Sequence, residues 1–184
     1  MDALELLLTR SSNAKLIEPA PNGEALENIL NAGLRAPDHA NLSPYQFIVC
    51  RGVGLQKLAD IYTQAAKSNK MEQSVIDKSQ KMPFRAPMVI VAICRYKEHE
   101  KVPRVEQIAT TACAVQNMQM AAQAQGFNGM WRTGAFATNL DVREAFKLNE
   151  LDEIVGFLYL GTPSVETPIK RQKKREPFIE YWGE

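Results

Sequence analysis

Thr9-Arg10-Ser11-Ser12-Asn13-Ala14-Lys15 sets two cations around small hydroxyl and amide residues. An Arg presents a planar fork of donors, and Ser hydroxyls with backbone N–H groups complete a cage of the kind that binds a phosphate. The same composition suits a solvated helix end. A second polar stretch, from Arg35 through Pro37, Asp38, His39 and Asn41 to Pro44 and Tyr45, lies between two apolar segments and carries one of only two histidines. Loops on a rigid scaffold are where binding residues sit, although a lone His is also a common cap or packing residue. A third stretch, Phe127 to Ala135, contains Trp131, Arg132 and Thr133 between glycines that let the backbone come close to a ligand. The fourth, Lys170 to Arg175, is basic and fits either a nucleic-acid contact or a solvated tail.

These stretches need elements to hold them. Between Glu106 and Arg132 there is no charge, and Ile108 to Gln125, free of Gly and Pro, reads as one long helix ended by Gly126. Ile108, Ala112, Val115, Gln119 and Ala122 share a face while Cys113, Met120 and Ala124 point elsewhere. Small or apolar side chains thus cover most of the circumference, which predicts burial on nearly all sides, as a core helix or as one that also forms a subunit interface. Its many amides argue against a membrane span. Asp2 to Leu8 reads as a short apolar helix, and Asn22 as the cap of a helix through Leu34 that must stop near Pro37. Tyr45 to Cys50 and Ile154 to Leu160 read as strands, Leu55 to Lys67 as a helix, and Ser68 to Lys81 as a polar segment, helical in part. Met88 to Cys94 is a continuous apolar run that fits a central strand buried on both faces. Arg95 to Val105 is a charged loop, and Asn139 caps a short helix through Phe146. Strands separated by helices predict a layered α/β domain.

The 184 residues fit one domain, 1–184, with the basic tail 164–184 part of it. A hydrophobic content of 45% and a net charge of +1 give no global pull toward nucleic acid or an anionic membrane. The first residues lack the pattern of an export signal, and Cys50, Cys94 and Cys113 are odd in number and set in apolar surroundings. Buried reduced thiols and a cytoplasmic location are therefore expected. Two histidines and no close Cys pair leave little from which to build a metal site.

Together, in this order and spacing, several of these stretches resemble the FMN-dependent nitroreductase family, and within it the short NAD(P)H nitroreductases of enterobacteria. The resemblance covers almost the whole chain. It is carried by Met1 to Leu7 with Arg10 and Ser12, by Arg35-Ala36-Pro37-Asp38-His39 with Pro44 and Phe47, by Gly126-Phe127 with Gly129, Trp131, Arg132 and Gly134, and by Ile154 to Pro163. It implies an α/β (α+β) sandwich with a mostly antiparallel central sheet flanked by helices. It also implies a homodimer with the long helix and two FMN molecules in the subunit interface, and NADH or NADPH as reductant. By matched position, Arg10, Ser11 and Ser12 would hold the FMN phosphate and ribityl chain. Arg35 and His39 would reach the same flavin from the partner chain, with Trp131, Arg132 and Thr133 along the isoalloxazine. Lys173 and Arg175 match a Lys-x-Arg-x-Pro arrangement that contacts phosphate in longer members. The family often has Arg-Arg-Ser followed by another Arg, where this chain has Ser11 and Lys15, and Trp where it has Tyr45. Lys keeps the charge without the bidentate fork.

The chemistry so implied belongs to the flavin, and no triad or acid–base dyad stands out in the sequence. Cations and backbone donors near the ring stabilise the charge that reduction places there. An open face admits nicotinamide and then a nitroaromatic, quinone or related small acceptor, in ping-pong hydride transfer. Reductive dehalogenation or flavin breakdown on the same fold is a second reading. The third is a non-enzymatic dimeric binding protein using the basic tail.

Overall fold

The structure is a computed structural model that describes residues 2–171 and 173–183. Met1 and Gln172, which belong to the N-terminal and basic runs above, and Glu184 lie outside the described residues. In chain order the elements are α1 (Ala3–Thr9), β1 (Leu16–Ile17), α2 (Gly23–Gly33), β2 (Tyr45–Arg51), α3 (Val53–Ser68), α4 (Gln73–Lys81) and β3 (Met88–Cys94). They continue with α5 (Arg104–Ala124), β4 (Asn128–Arg132), α6 (Ala135–Thr138), α7 (Leu140–Ala145) and β5 (Glu153–Pro163), and single 3-10 turns occur at His39–Asn41 and Pro83–Arg85.

All seven residues of β3 are buried, as the unbroken apolar run predicts for a strand covered on both faces. It pairs with β2 on one edge and β5 on the other, and β4 takes the far edge of β5, while β1 pairs with the last residues of β5. Every pairing is antiparallel, in agreement with the expected sheet. Alternation along the strands divides the core in two. Val89, Val91, Ile93, Phe157 and Tyr159 face α3, α6 and α7, whereas Met88, Ile90, Ala92, Leu158 and Leu160 face α2 and α5. The result is a helix, sheet, helix sandwich. On the second side α2 comes very close to α5, since a Cβ on Gly33 would stand 2.8 Å from Met118 Cγ.

The long helix starts at Arg104, four residues before the apolar segment that signals it, and ends at Ala124, two residues before Gly126, whose φ of 86° suits a glycine. Burial on nearly all sides is not what one chain shows. Val115, Met118, Gln119 and Ala122 are buried, but Val105, Ala109 and Cys113 are exposed and Ala112 and Gln116 only half-buried, a stripe at helical spacing. Cys113 thus departs from the expected buried thiols, while Cys50 and Cys94 fit them. α1 forms as expected, its first turn closed by the Asp2 carboxylate accepting from the Leu4 and Glu5 N–H groups. None of its residues is buried, however. Asn22 stands at the start of α2 without making a side-chain cap, unlike Asn139, which accepts from the N–H of Val142. No described helix is long and apolar enough to cross a membrane.

Candidate functional site

Arg10 ends α1, and the extended segment after it runs beside β4 and the middle of α5. The Arg10 guanidinium donates to Ser12 Oγ at 3.3 Å, and the same hydroxyl accepts from Gln119 Nε2 of α5. Gln119 is 2% exposed, and it also donates to the Gly129 carbonyl at 3.0 Å, the oxygen that Asn13 N–H reaches from the other side. Inside a protein such shared hydrogen bonds fix geometry, because each broken one leaves a buried polar group unpaired. Arg10 has no carboxylate partner among the described residues, so its charge is available to an anion. Ser11 is placed differently from its neighbours. Its buried hydroxyl donates to the Pro168 carbonyl at 2.7 Å, which commits that side chain to the tail.

The stretch expected to border a ligand is a strand up to Arg132 and only then a glycine turn, with Gly134 at φ 79°. Because neighbours on a strand point to opposite faces, Trp131 and Arg132 part company. Trp131 packs on the α2 and α5 side, lies over Gly156, and donates its indole N–H to the Val155 carbonyl at 3.2 Å. A Cβ on Gly156 would fall 2.1 Å from that indole nitrogen. The β3–β5 register shifts at this point, pairing Ala92 with Gly156 and Ile93 with Ile154, so Val155 is the extra residue of a bulge. Arg132 turns to the other face, with its guanidinium carbon 5.6 Å from the Tyr159 ring centre and its buried Nε without a partner among the described residues. Burial raises the Tyr159 phenol above its ordinary pKa, and Arg85 and Arg132 offset part of that rise. Thr133 is exposed beside them.

Arg35 and His39 lie elsewhere. Both are exposed, on the loop that leaves α2, and His39 Nδ1 sits 2.8 Å from Glu106 Oε2 in the first turn of α5. Ala40, Asn41 and Ser43 all have positive φ, a conformation that costs L residues energy and is held here partly by the Asp38 carboxylate accepting from Ser43 N–H. Glu106 and Gln119 are thirteen residues apart on one helix, about 20 Å at 1.5 Å per residue. One chain therefore brings Arg10 and Ser12 beside the start of β4 and Gln119, and leaves His39 at the first turn of α5, with Arg35 between them, two residues beyond the Gly33 that packs on Met118.

The sequence profile of the Nitroreductase family matches residues 10–162. The chain belongs to the nitroreductase family. It is 48% identical over 183 residues to YdjA of Escherichia coli (strain K12), which carries the provisional name NAD(P)H nitroreductase, covering 99% of this chain and all of that one. A similarly named protein of Haemophilus influenzae is 42% identical over 88% of this chain and 89% of its own length. Among solved structures, a nitroreductase-like family protein from Bacillus cereus superposes with a TM-score of 0.86 at 22% identity, covering 100% of this chain and 97% of its own. A nitroreductase from Bacteroides fragilis with bound FMN gives 0.73 at 21%, over 99% and 100%.

In this nitroreductase-family chain the tail begins against the Arg10 segment. Asn13 Nδ2 donates to the Val165 carbonyl and Thr167 Oγ1, and Asn128 Nδ2 donates to the same hydroxyl. Lys173 and Arg175 follow in the exposed part. The Lys173 ammonium lies 5.5 Å from the Phe178 ring centre, and Arg175 supplies the carbonyl of a turn, with no bond from either to Arg10 or Ser12 among the described residues. Two participants went unrecognised in the sequence. Gln119 is one amide among several in its helix, and Asn128 sits in a stretch read as loop. Only the fold brings them to the site.

Proposed function

We propose that the protein is an FMN-dependent NAD(P)H oxidoreductase of the nitroreductase type, working as a homodimer with a flavin in each of two shared sites. The observation that carries this is the separation of Arg10 and Ser12, beside Gln119, from His39, beside Glu106 in the first turn of the same helix, along a helix whose exposed stripe is uncharged. A two-fold partner crossing that stripe antiparallel would lay its Arg35 and His39 against the Arg10 end of the first chain, and the converse would follow by symmetry. The bare leucines of α1, Leu4, Leu7 and Leu8, which are 61–68% exposed, add to the same surface, because α1 packs along α5. The names of YdjA and its Haemophilus counterpart, and the FMN in the Bacteroides structure, support the choice of reductant and cofactor.

The residues fit the group. Arg10 and Ser12 would hold the phosphate, with Gln119 fixing the Ser12 hydroxyl, and Ser11 would act by tying the tail in place. The main chain of Arg132 and Thr133 would supply donors along the ring edge, and Trp131 would border the ring through its main chain too, its indole being turned to Val155. Lys173 and Arg175 would approach the phosphate only if the exposed tail swings toward Arg10. FMN, once bound, supplies hydride transfer from NAD(P)H to a small nitroaromatic or quinone acceptor in a ping-pong sequence. The protein's part is to bind, orient and place positive charge.

The test is direct. Purified protein should be a yellow dimer whose flavin absorbance bleaches anaerobically with NADH or NADPH and returns with a nitroaromatic or quinone. A colourless monomer that stays so after incubation with FMN would overturn the reading.

A further inference from the structure

On the α3 side of the sheet, beside the turn that carries Thr133 and Gly134, there is a pocket of about 420 Å³, within the range of small-ligand sites, about 300–1,000 Å³. Its apolar walls combine four aromatic rings with the side chains of Met71, Val75 and Met82. Tyr62 and Phe136 stack with ring centres 4.4 Å apart, Phe157 meets Tyr62 edge-on, and Tyr159 completes the surface. Two guanidinium groups line it, Arg85 from the 3-10 turn before β3 and Arg132 from the end of β4, and no carboxylate does. Neither Arg is in an ion pair among the described residues.

Two buried polar atoms of the lining have no hydrogen-bond partner among the described residues. The Tyr62 residue is 2% exposed and its hydroxyl is unbonded, and the Arg132 Nε is likewise unpaired. A buried donor without an acceptor costs about 1–3 kcal/mol, so such orphans occur in native proteins where a water or ligand completes them. The occupant must offer acceptors to cationic donors and a flat apolar body to ring faces, and the pocket admits a single substituted ring with room to spare. An aliphatic acid would leave the aromatic walls unused, and a neutral arene would leave two cations without a counter-charge.

We propose that this pocket binds a one-ring aromatic carboxylate, its ring among Tyr62, Phe136 and Tyr159 and its charge paired with Arg85 and Arg132. Arg85 is exposed, so its contribution weakens with ionic strength, whereas that of half-buried Arg132 is screened less. The inference rests on the flavin reading in one respect only: if Arg132 and Thr133 border a flavin, the pocket defines which acceptors that site admits, favouring aromatic acids over neutral arenes.

The experiment is calorimetric titration of FMN-loaded protein, without NAD(P)H, using 4-nitrobenzoate and its neutral counterpart 4-nitrobenzamide. The carboxylate should bind about tenfold more tightly, the scale of one charge-assisted hydrogen bond. Arg85→Gln should reduce that preference while leaving FMN affinity unchanged. Equal affinity for the two ligands, or a preference undiminished in Arg85→Gln, would overturn the proposal. So would stoichiometric release of FMN into a filtrate as the carboxylate binds, since the cavity would then belong to the flavin. Should the protein take up no FMN, the flavin reading fails by itself. The same titrations on flavin-free protein then decide the pocket, with the preference for carboxylate upholding it and its absence overturning it.

Discussion

Where α5 passes Ser12, its Gln119 amide is buried and bridges a hydroxyl and a carbonyl, whereas thirteen residues earlier Glu106 stands half in solvent and holds only His39. The first end is built within one chain, with Gln119 and Gly129 buried behind a half-buried Arg10 and Ser12. The second is supported from behind by a polar network and left open in front. Gln107, 1% exposed, accepts from the Lys97 N–H and donates to the Lys97 carbonyl, Arg104 pairs with Glu153, and Arg95 pairs with Asp152. Rigid support beneath exposed, conformationally strained loop residues is how a surface is prepared for something that arrives from outside. The contrast suggests a site completed by assembly, and it can be attacked at either end.

The strongest attack is complementation. Arg10→Ala should weaken FMN binding by about 1.5–3 kcal/mol, the scale of hydrogen bonds to a charged group, with little change in stability. If Arg10→Ala and Arg35→Ala each abolish binding at working concentrations, heterodimers carrying one of each have one doubly damaged site and one intact site. Differently tagged chains purified as the heterodimer should recover about half the wild-type flavin. A heterodimer that binds none would place both residues in a site within one chain and remove the difference between the two ends.

Next in size is the support beneath the open end. Burial alone would raise the Asp152 carboxyl, but hydrogen bonds from Asn149 N–H, Arg95 and Tyr96 N–H outweigh it and hold the pKa below the usual value. Asp152→Ala strips those partners and should cost about 3 kcal/mol in denaturant unfolding. A depressed carboxyl contributes stability above its unfolded value, about 3.9, and loses it as pH falls through the folded one. The gap between wild type and variant should therefore narrow below about pH 4, and a gap constant down to that pH and beyond would deny Asp152 this role.

The smallest effect is expected at His39. Its contact with Glu106 is exposed, so His39→Ala should change stability by less than about 1 kcal/mol. A larger loss in the same unfolding experiment would mean that the open end is a folding element, and the comparison would need redrawing.

Much of this was legible in the sequence for physical reasons. An unbroken apolar run such as Met88–Cys94 has few homes other than a doubly covered strand, and a long Gly-free, Pro-free segment closed by Gly126 is a helix under almost any packing. The Arg10–Ser12 cluster was visible because charge and hydroxyls sit together in the chain. What could not be read were partners distant in sequence. Ser11 bonds a carbonyl 157 residues away, and Gln119 is recognisable as a bridge only once Ser12 and Gly129 are beside it. β4 was masked by its glycine, which reads as loop although it serves close approach to Leu160 and the Tyr159 carbonyl. Cys113 reads as a core residue because sequence reports an uncharged face without saying what covers it.

The notch at Gly156 also gives the molecule an optical handle. Of its two tryptophans, Trp131 is half-buried and hydrogen-bonded over that glycine, while Trp182 is 89% exposed on the tail. Emission should therefore separate into a shielded and a quencher-accessible fraction, and Trp182→Phe would leave a single tryptophan one residue from Arg132, reading out events at the β4 exit without any added label.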